Sequence, residues 1–252
     1  MIDLEKYKKP PKNLVFDDLI IFEDDNYVFI NKPAFVSSMS ERTSDKIVNI
    51  LALAKEKYDD IQLCHRLDKE TSGVLMLAKN SEAYRNASIQ FEDRQIKKEY
   101  HALVNGVHQF DSISVFLPIA KLKDGTAVKI DRTKGKLAET IFFTEKAYQQ
   151  HTLVRCYPVT GRMHQIRIHL KCLNAPIVCD PTYGGDYIYL SKVKRKFNLK
   201  MEDEELPLIK RVALHAHKLA FYDLDGQVKE ITAPYPKDFD VLIKQLDKFS
   251  RA

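Results

Sequence analysis

The 252-residue chain lacks several features that would place it in a narrow class. Its four cysteines, Cys64, Cys156, Cys172 and Cys179, are widely spaced and form no C-x-x-C pair, which argues against a zinc knuckle and against a disulfide-built scaffold. They read as reduced thiols, mostly buried. No apolar run exceeds a few residues, far short of the roughly 20 needed to span a bilayer, so no membrane attachment is expected. The opening M-I-D-L-E-K-Y-K-K-P-P-K has no apolar core of a secretory leader, and a cytoplasmic protein is the expectation. Internal repeats and low-complexity tracts are also missing.

What remains is globular in composition, with 44% apolar and 30% charged residues. This length sits at the upper edge of what one hydrophobic core supports, so one large domain or two tightly joined lobes are both allowed. Net charge is +5, a mild bias toward polyanionic partners.

Along the chain, residues 1–15 form a basic, proline-bearing arm expected to be mobile, followed by one domain over 16–250. Y-V-F-I-N at 27–31 reads as a strand closed by Lys32-Pro33. Ile47, Ile50, Leu51, Ala54 and Tyr58 recur at helical spacing over 44–58, with Ser44 and Asp45 placed to cap the first turn. The apolar V-L-M-L-A-K after Gly73 reads as a buried strand. A helix over 82–95, capped by Ser81, puts Ala83, Ala87 and Phe91 on one face. Strands are expected over 99–105, 138–143, 152–158, 213–222 and 227–232, the last two around a turn at 223–226. The segment from Gly161 predicts a helix with Ile166, Leu170 and Leu173 on one face. A final helix carries Phe239, Leu242, Leu246 and Phe249, while 192–205 reads as a surface insertion. Strands and helices without a β-α-β rhythm predict an α+β fold with a mixed, mainly antiparallel sheet.

Four stretches could carry chemistry. In C-H-R-L-D-K-E-T-S-G at 64–73, a turn with Asp68 and Thr71 satisfying backbone amides is the plain reading. Leu67 and Val74 on either side place the polar cluster against the core, where an unpaired carboxylate is costly and needs a cation. In T-G-R-M-H-Q-I-R-I-H-L at 160–170, a helix projects Arg162, Gln165 and His169 one way and turns Arg167 off them. That element is either a solvated basic face or a reader of phosphate and base, and spacing alone does not choose. In K-K-E-Y-H-A-L-V at 97–104, strand alternation puts Tyr100 with Lys98 on one face, where a tyrosine is most often core filler. His215 and His217 share a strand face, but without cysteine or carboxylate partners at ligand spacing no metal site is expected.

These stretches, in this order, resemble the RluA-type RNA pseudouridine synthases: H-R-L-D-K-E-T-S-G from His65, K-E-Y-H-A-L-V-N-G from Lys98, T-G-R-M-H-Q-I-R-I-H-L from Thr160 and L-H-A from Leu214. I-N-K-P-A from Ile30 and P-I-V-C-D-P-T-Y-G from Pro176 match as well, so the likeness runs from about residue 20 to 235. It implies the pseudouridine synthase fold in two fused subdomains, and an enzyme that detaches uracil from ribose in RNA, rotates it, and rejoins it through carbon 5 without a cofactor. By the same resemblance Asp68 is the catalytic carboxylate, Tyr100 stacks on the uracil and helps remove the carbon-5 proton, and Arg167 pairs with the aspartate. Arg66 helps hold the flipped nucleotide out.

The residue types suit that reaction. Breaking a glycosidic bond builds positive charge at the anomeric carbon, which one ionised carboxylate can stabilise or attack. A buried Asp68 stays ionised only beside a cation, for which Arg167 and Arg162 are both available. Extruding a uridine costs a few kcal/mol, which an inserted Arg66 and a stacking ring would offset. Lys98, Arg162, His164 and Gln165 are expected to contact the RNA, the cations through phosphates without reading sequence.

Two departures from the pattern matter. About 20 residues precede the match, so a single-domain member is expected, without the separate amino-terminal RNA-binding (S4) domain of many relatives, selecting a compact rRNA or tRNA element. After Lys32-Pro33 the chain reads F-V-S-S-M-S where relatives carry a V-H pair. The expectation is a monomer with no obligatory protein partner. Two other readings are a silent RNA-binding module on the same fold and a glycoside hydrolase using Asp68 and Glu70, although those two carboxylates lie only two apart.

Overall fold

A computed structural model describes residues 5–40, 48–195, 197 and 204–251. In chain order the elements are β1 (Ile20–Glu23), β2 (Tyr27–Lys32), α1 (Ile50–Lys55), β3 (Gln62–Leu63), β4 (Ser72–Ala78), α2 (Ser81–Glu92), β5 (Lys97–Asn105), β6 (Ile113–Lys121), β7 (Val128–Ile130), β8 (Lys136–Ala147) and β9 (His151–Pro158). Then come α3 (Gln165–Cys172), α4 (Leu190–Val193), β10 (Leu214–Tyr222), β11 (Val228–Thr232) and α5 (Lys237–Phe249). Short 3-10 turns occupy Glu5–Tyr7 and Asp17–Leu19. The pairs β1–β2, β2–β4, β3–β4, β5–β9, β6–β7, β6–β8, β8–β9 and β10–β11 are antiparallel and β4–β10 is parallel, so the α+β expectation of a mixed, mainly antiparallel sheet holds. Among the described residues no helix is long and apolar enough to cross a membrane.

The chain divides into two compact units. One combines residues 9–99 with 215–234; the other combines 1–8, 100–214 and 235–252, so the boundaries fall inside β5 and β10.

In the first unit β1, β2, β4 and β10 lie side by side, with β11 on β10 and β3 on β4. All seven residues of β4 are buried, which is why it reads as an unbroken apolar run rather than an alternation. Tyr27, Phe29 and Phe221 form its aromatic core, with ring centroids 5.0 Å (Tyr27 to Phe221) and 5.3 Å (Phe29 to Phe221) apart. Asp24 and Asp223 close the β1–β2 and β10–β11 turns by the same device: each Oδ1 accepts two backbone N–H groups just ahead of it. The caps differ from expectation by small steps. Asn80, not Ser81, caps α2 through the Ala83 N–H, and Asn49 caps α1 through the Ala52 N–H. The proposed caps Ser44 and Asp45 lie outside the described residues.

The second unit pairs β5 with β9, β9 with β8, β8 with β6 and β6 with β7. Its core gathers Leu103, Phe142, Val154, Leu170, Ile177, Phe239, Leu242 and Leu246. The last helix therefore buries the expected stripe. Strands β6 and β7 were not anticipated, because Pro118 interrupts an alternating pattern and reads as a breaker. In the structure Pro118 sits opposite Leu137, and its carbonyl accepts the Asp131 N–H.

In the segment over 1–15, Tyr7 lies under Lys210, with Nζ 3.8 Å from the ring centroid. Residues 196 and 198–203 of the 192–205 insertion lie outside the described residues, but its start is the α4 turn, with Val193 buried in the core. The four cysteines are free as expected, yet only Cys156 and Cys179 are buried, while Cys172 is exposed.

The parallel β4–β10 contact depends on one glycine. Gly73 faces Ala216, has φ +120, and a Cβ built on it would lie 2.1 Å from the Ala216 carbonyl oxygen. Gly73→Ala should therefore lower stability by about 3 kcal/mol or more, read as a fall in the urea midpoint. Histidines whose pKa folding lowers make stability pH-dependent, His65, His151 and His169 among them. His65 Nε2 accepts the Met76 N–H at 3.1 Å, and burial, with Lys98 adding to it, pushes its pKa down to about 3. Burial likewise takes His169, bonded to Thr140, down to about 4. A histidine lowered on folding contributes fully above its unfolded pKa of about 6.5, and that contribution drains away as pH falls toward the folded value. Unfolding free energy should drop by roughly 1.4 kcal/mol per pH unit per such histidine below about pH 6, and His65→Gln should remove one such increment.

Candidate active site

Asp68 sits in the loop between β3 and β4, half-buried, and its carbonyl accepts the Thr71 N–H at 3.0 Å, closing the turn expected there. What holds that loop is a second segment, the one following β2. The Lys32 side chain is fully buried and its ammonium donates to the carbonyls of Pro33 (2.9 Å), Val36 (2.8 Å) and Lys69 (3.4 Å). The Phe35 N–H donates to the Lys69 carbonyl at 2.7 Å, with Phe35 itself at φ 68, a conformation that L residues seldom adopt. Ser38 Oγ accepts the Leu67 N–H at 3.1 Å and donates to the Leu67 carbonyl at 3.2 Å. Backbone groups on both sides of Asp68 are thus fastened to residues 32–38.

The far side of the loop is fixed to β4 and β10. Ser72 Oγ is 2.9 Å from His215 Nδ1, and His215 Nε2 is 3.1 Å from the Ala233 carbonyl. His215 is fully buried in this relay. His65 packs on Phe91 with ring centroids 5.1 Å apart, and Lys98 Nζ lies 6.0 Å from the same ring. Burial lowers the Lys98 ammonium to about 8, still mostly charged at neutral pH. Arg66 is exposed.

Residues 37–40 and 66–69 enclose a pocket of about 420 Å³, lined by Ser37, Ser38, Met39, Ser40, Arg66, Leu67 and Lys69. Among the described residues its walls carry two cations and three hydroxyls and no acid. Leu67 and Lys69, the neighbours of Asp68 in the chain, both contribute.

In the second unit Tyr100 lies half-buried on β5 opposite Cys156. The 160–170 stretch divides differently from its helical reading. Helix α3 begins only at Gln165, so Arg162 stands on the preceding turn, exposed, rather than on a helix face. His164 caps the helix in a left-handed conformation, φ 51, with Nδ1 3.0 Å from the Tyr183 hydroxyl. Gln165 is buried: its Oε1 accepts from Thr160 Oγ1 and the Arg162 N–H, and its Nε2 donates to the Glu139 carbonyl and Thr140 Oγ1. That amide organises the turn presenting Arg162. Everything from Gln165 to Leu170 is buried, so the element is not a solvated basic face.

Arg167 meets a partner that sequence reading did not assign. Its Nε and Nη2 each donate at 2.7 Å to the Asp180 carboxylate, a bidentate pair with Asp180 fully buried. The guanidinium also lies 5.1 Å from the Tyr183 ring centroid. Asp180 comes from P-I-V-C-D-P-T-Y-G, quoted above without a role. A carboxylate directly after Val178 and Cys179 needs a cation, and that was the available signal. Its loop turns tightly enough that a Cβ on Gly185 would lie 1.7 Å from the Ile177 carbonyl oxygen.

The family model for RNA pseudouridylate synthases matches residues 26–171. "Ribosomal large subunit pseudouridine synthase C" of Buchnera aphidicola subsp. Baizongia pistaciae is 37% identical over 93% of this chain and 72% of its own length. The protein of that name from Escherichia coli K12 is 36% identical over 91% of this chain and 70% of its own. Among solved structures, human RNA pseudouridylate synthase domain containing 4 aligns with a TM-score of 0.68 at 25% identity, over 92% of this chain and 95% of that one. Human RNA pseudouridylate synthase domain containing 1, at 22% identity and a TM-score of 0.66, shares the fold. With the Asp68 loop, the Arg167 helix and these likenesses together, the chain belongs to the RNA pseudouridylate synthase family, enzymes that isomerise uridine in RNA.

Proposed function

We propose that this enzyme converts one or more uridines of large-subunit ribosomal RNA to pseudouridine, with Asp68 as the catalytic carboxylate. The observation that carries the ribosomal assignment is the 37% identity, over 93% of the chain, to a protein named for the large ribosomal subunit. A tRNA substrate is the second reading, which the mapping below separates from the first. The enzyme acts as a monomer, without an obligatory protein partner.

In this reading the flipped uridine presents its anomeric carbon to Asp68. The bond from that carbon to N1 of uracil breaks, the base rotates, and a bond to C5 forms; the C5 proton then leaves, with Tyr100 stacked on the ring and assisting. One ionised carboxylate serves this chemistry because charge appears at the sugar and disappears again within one site. The fastening of residues 67–69 to 32–38 supports it, since a carboxylate that must meet a transient cation gains from being held in place before the RNA arrives. Arg167 is the catalytic arginine of this proposal, its guanidinium held by Asp180. Arg66 holds the extruded nucleotide, while Lys98, Arg162 and His164 contact the strand, and Gln165 acts through the turn that carries Arg162.

Pseudouridine mapping by carbodiimide-modified primer extension, on RNA from cells with and without the gene, tests the substrate. A missing pseudouridine in large-subunit rRNA is expected, and one missing only in tRNA would transfer the assignment. Asp68→Asn should lower pseudouridine formation by more than about a hundredfold while RNA affinity in a filter-binding assay stays near wild type. Asp180→Asn should remove the bidentate partner of Arg167 and destabilise the fold by about 3 kcal/mol, and an unaltered urea midpoint would show the pair to be dispensable.

A further inference from the structure

The pocket between residues 37–40 and 66–69 is not accounted for by the chemistry above. Its volume, about 420 Å³, is that of a small-ligand site rather than a packing defect. Its lining is also specific in kind. Arg66 and Lys69 are both exposed, and among the described residues neither is paired with a carboxylate. Met39 offers a thioether that is 45% exposed, and Ser40 beside it carries a hydroxyl. A pocket whose described residues bring two unneutralised cations, hydroxyls, one exposed apolar wall and no acid suits a phosphorylated ligand with a flat or sugar-like body.

The walls are also fixed before anything binds. Ser38 bridges both backbone groups of Leu67, and Phe35 and Lys32 hold the Lys69 carbonyl, so one wall cannot move without the other. Phe35 keeps a strained left-handed backbone to make its contact. Leu67 and Lys69 flank Asp68, so the occupant sits within a residue's reach of the proposed catalytic loop.

Resting on the reading of this chain as an Asp68-dependent pseudouridine synthase, we propose that the pocket is a subsite for a nucleotide adjacent to the target uridine. Lys69 holds its phosphate, and Met39 packs against its sugar or base. The hydroxyls of Ser37 and Ser40 line the pocket without favouring one base, since a hydroxyl both donates and accepts. The subsite sets the register of the strand on the enzyme and leaves the identity of the neighbour open.

The test uses RNA purified from cells lacking the gene, which contains the natural substrate whichever RNA it is, and follows pseudouridine formation against RNA concentration at several salt concentrations. Lys69→Gln should raise KM by about fivefold with little change in kcat, and should make the slope of log KM against log salt shallower by about 0.7–0.9, the loss of one phosphate contact. Lys69→Arg should restore both. Met39→Ala should raise KM without altering the slope, because it removes packing and no charge. Lys57→Gln, an exposed cation of the same unit paired with Asp17, should keep the wild-type KM and slope. An active wild type with Lys69→Gln unchanged in KM and slope, or lowered in kcat alone, overturns the subsite and leaves the activity standing. A wild type that makes no pseudouridine in any RNA overturns the underlying reading and the subsite with it.

Discussion

A lysine ammonium sealed from water is the constraint around which the Asp68 region is organised. Lys32 ends strand β2 with its side chain fully buried, and a charge in that position is tolerated only when polar groups replace its hydration. Three carbonyls, from Pro33, Val36 and Lys69, do so. Two belong to the turn after β2 and one to the loop that carries Asp68, so satisfying the charge forces the two segments together. Phe35 and Ser38 then add hydrogen bonds across the same seam. The result is a loop without regular structure whose backbone is nonetheless held as a strand would be.

The second unit uses the same logic with opposite charges. Arg167 and Asp180 are both buried, and each offsets the cost of burying the other. Asp180 is brought to α3 by a turn that Gly185 alone permits, and Arg167 rides on a helix whose start is set by the buried Gln165 amide. Polar groups in this protein therefore act largely as fasteners, and those left open to solvent, such as Arg66, Lys69 and Arg162, are the cations a polyanion can meet.

How much of this could be read from residues alone varied with how local the cause was. The β4 strand and the α5 helix follow from runs and spacings within a dozen residues, and both stand as expected. The α2 cap moved by one residue because Asn80 and Ser81 are both able caps and the entering backbone chose between them. The basic 160–170 stretch was read as a helix throughout, but its first half is a turn bonded to Glu139 and Thr140, residues some twenty-five positions away. The β6 and β7 strands were hidden because Pro118 argues against a strand wherever no partner strand is known.

The order and types of residues in the Asp68, Tyr100 and Arg167 stretches determined the family and its chemistry, because a reaction requires particular functional groups whatever scaffold carries them. Only the tertiary structure decided that Lys32 and Ser38 fasten the Asp68 loop, that Asp180 is bound to Arg167, that Gln165 turns inward, and that a cation-lined pocket opens beside the loop. Those assignments depend on which buried polar group finds which partner across long stretches of chain, and that choice is made when the elements pack.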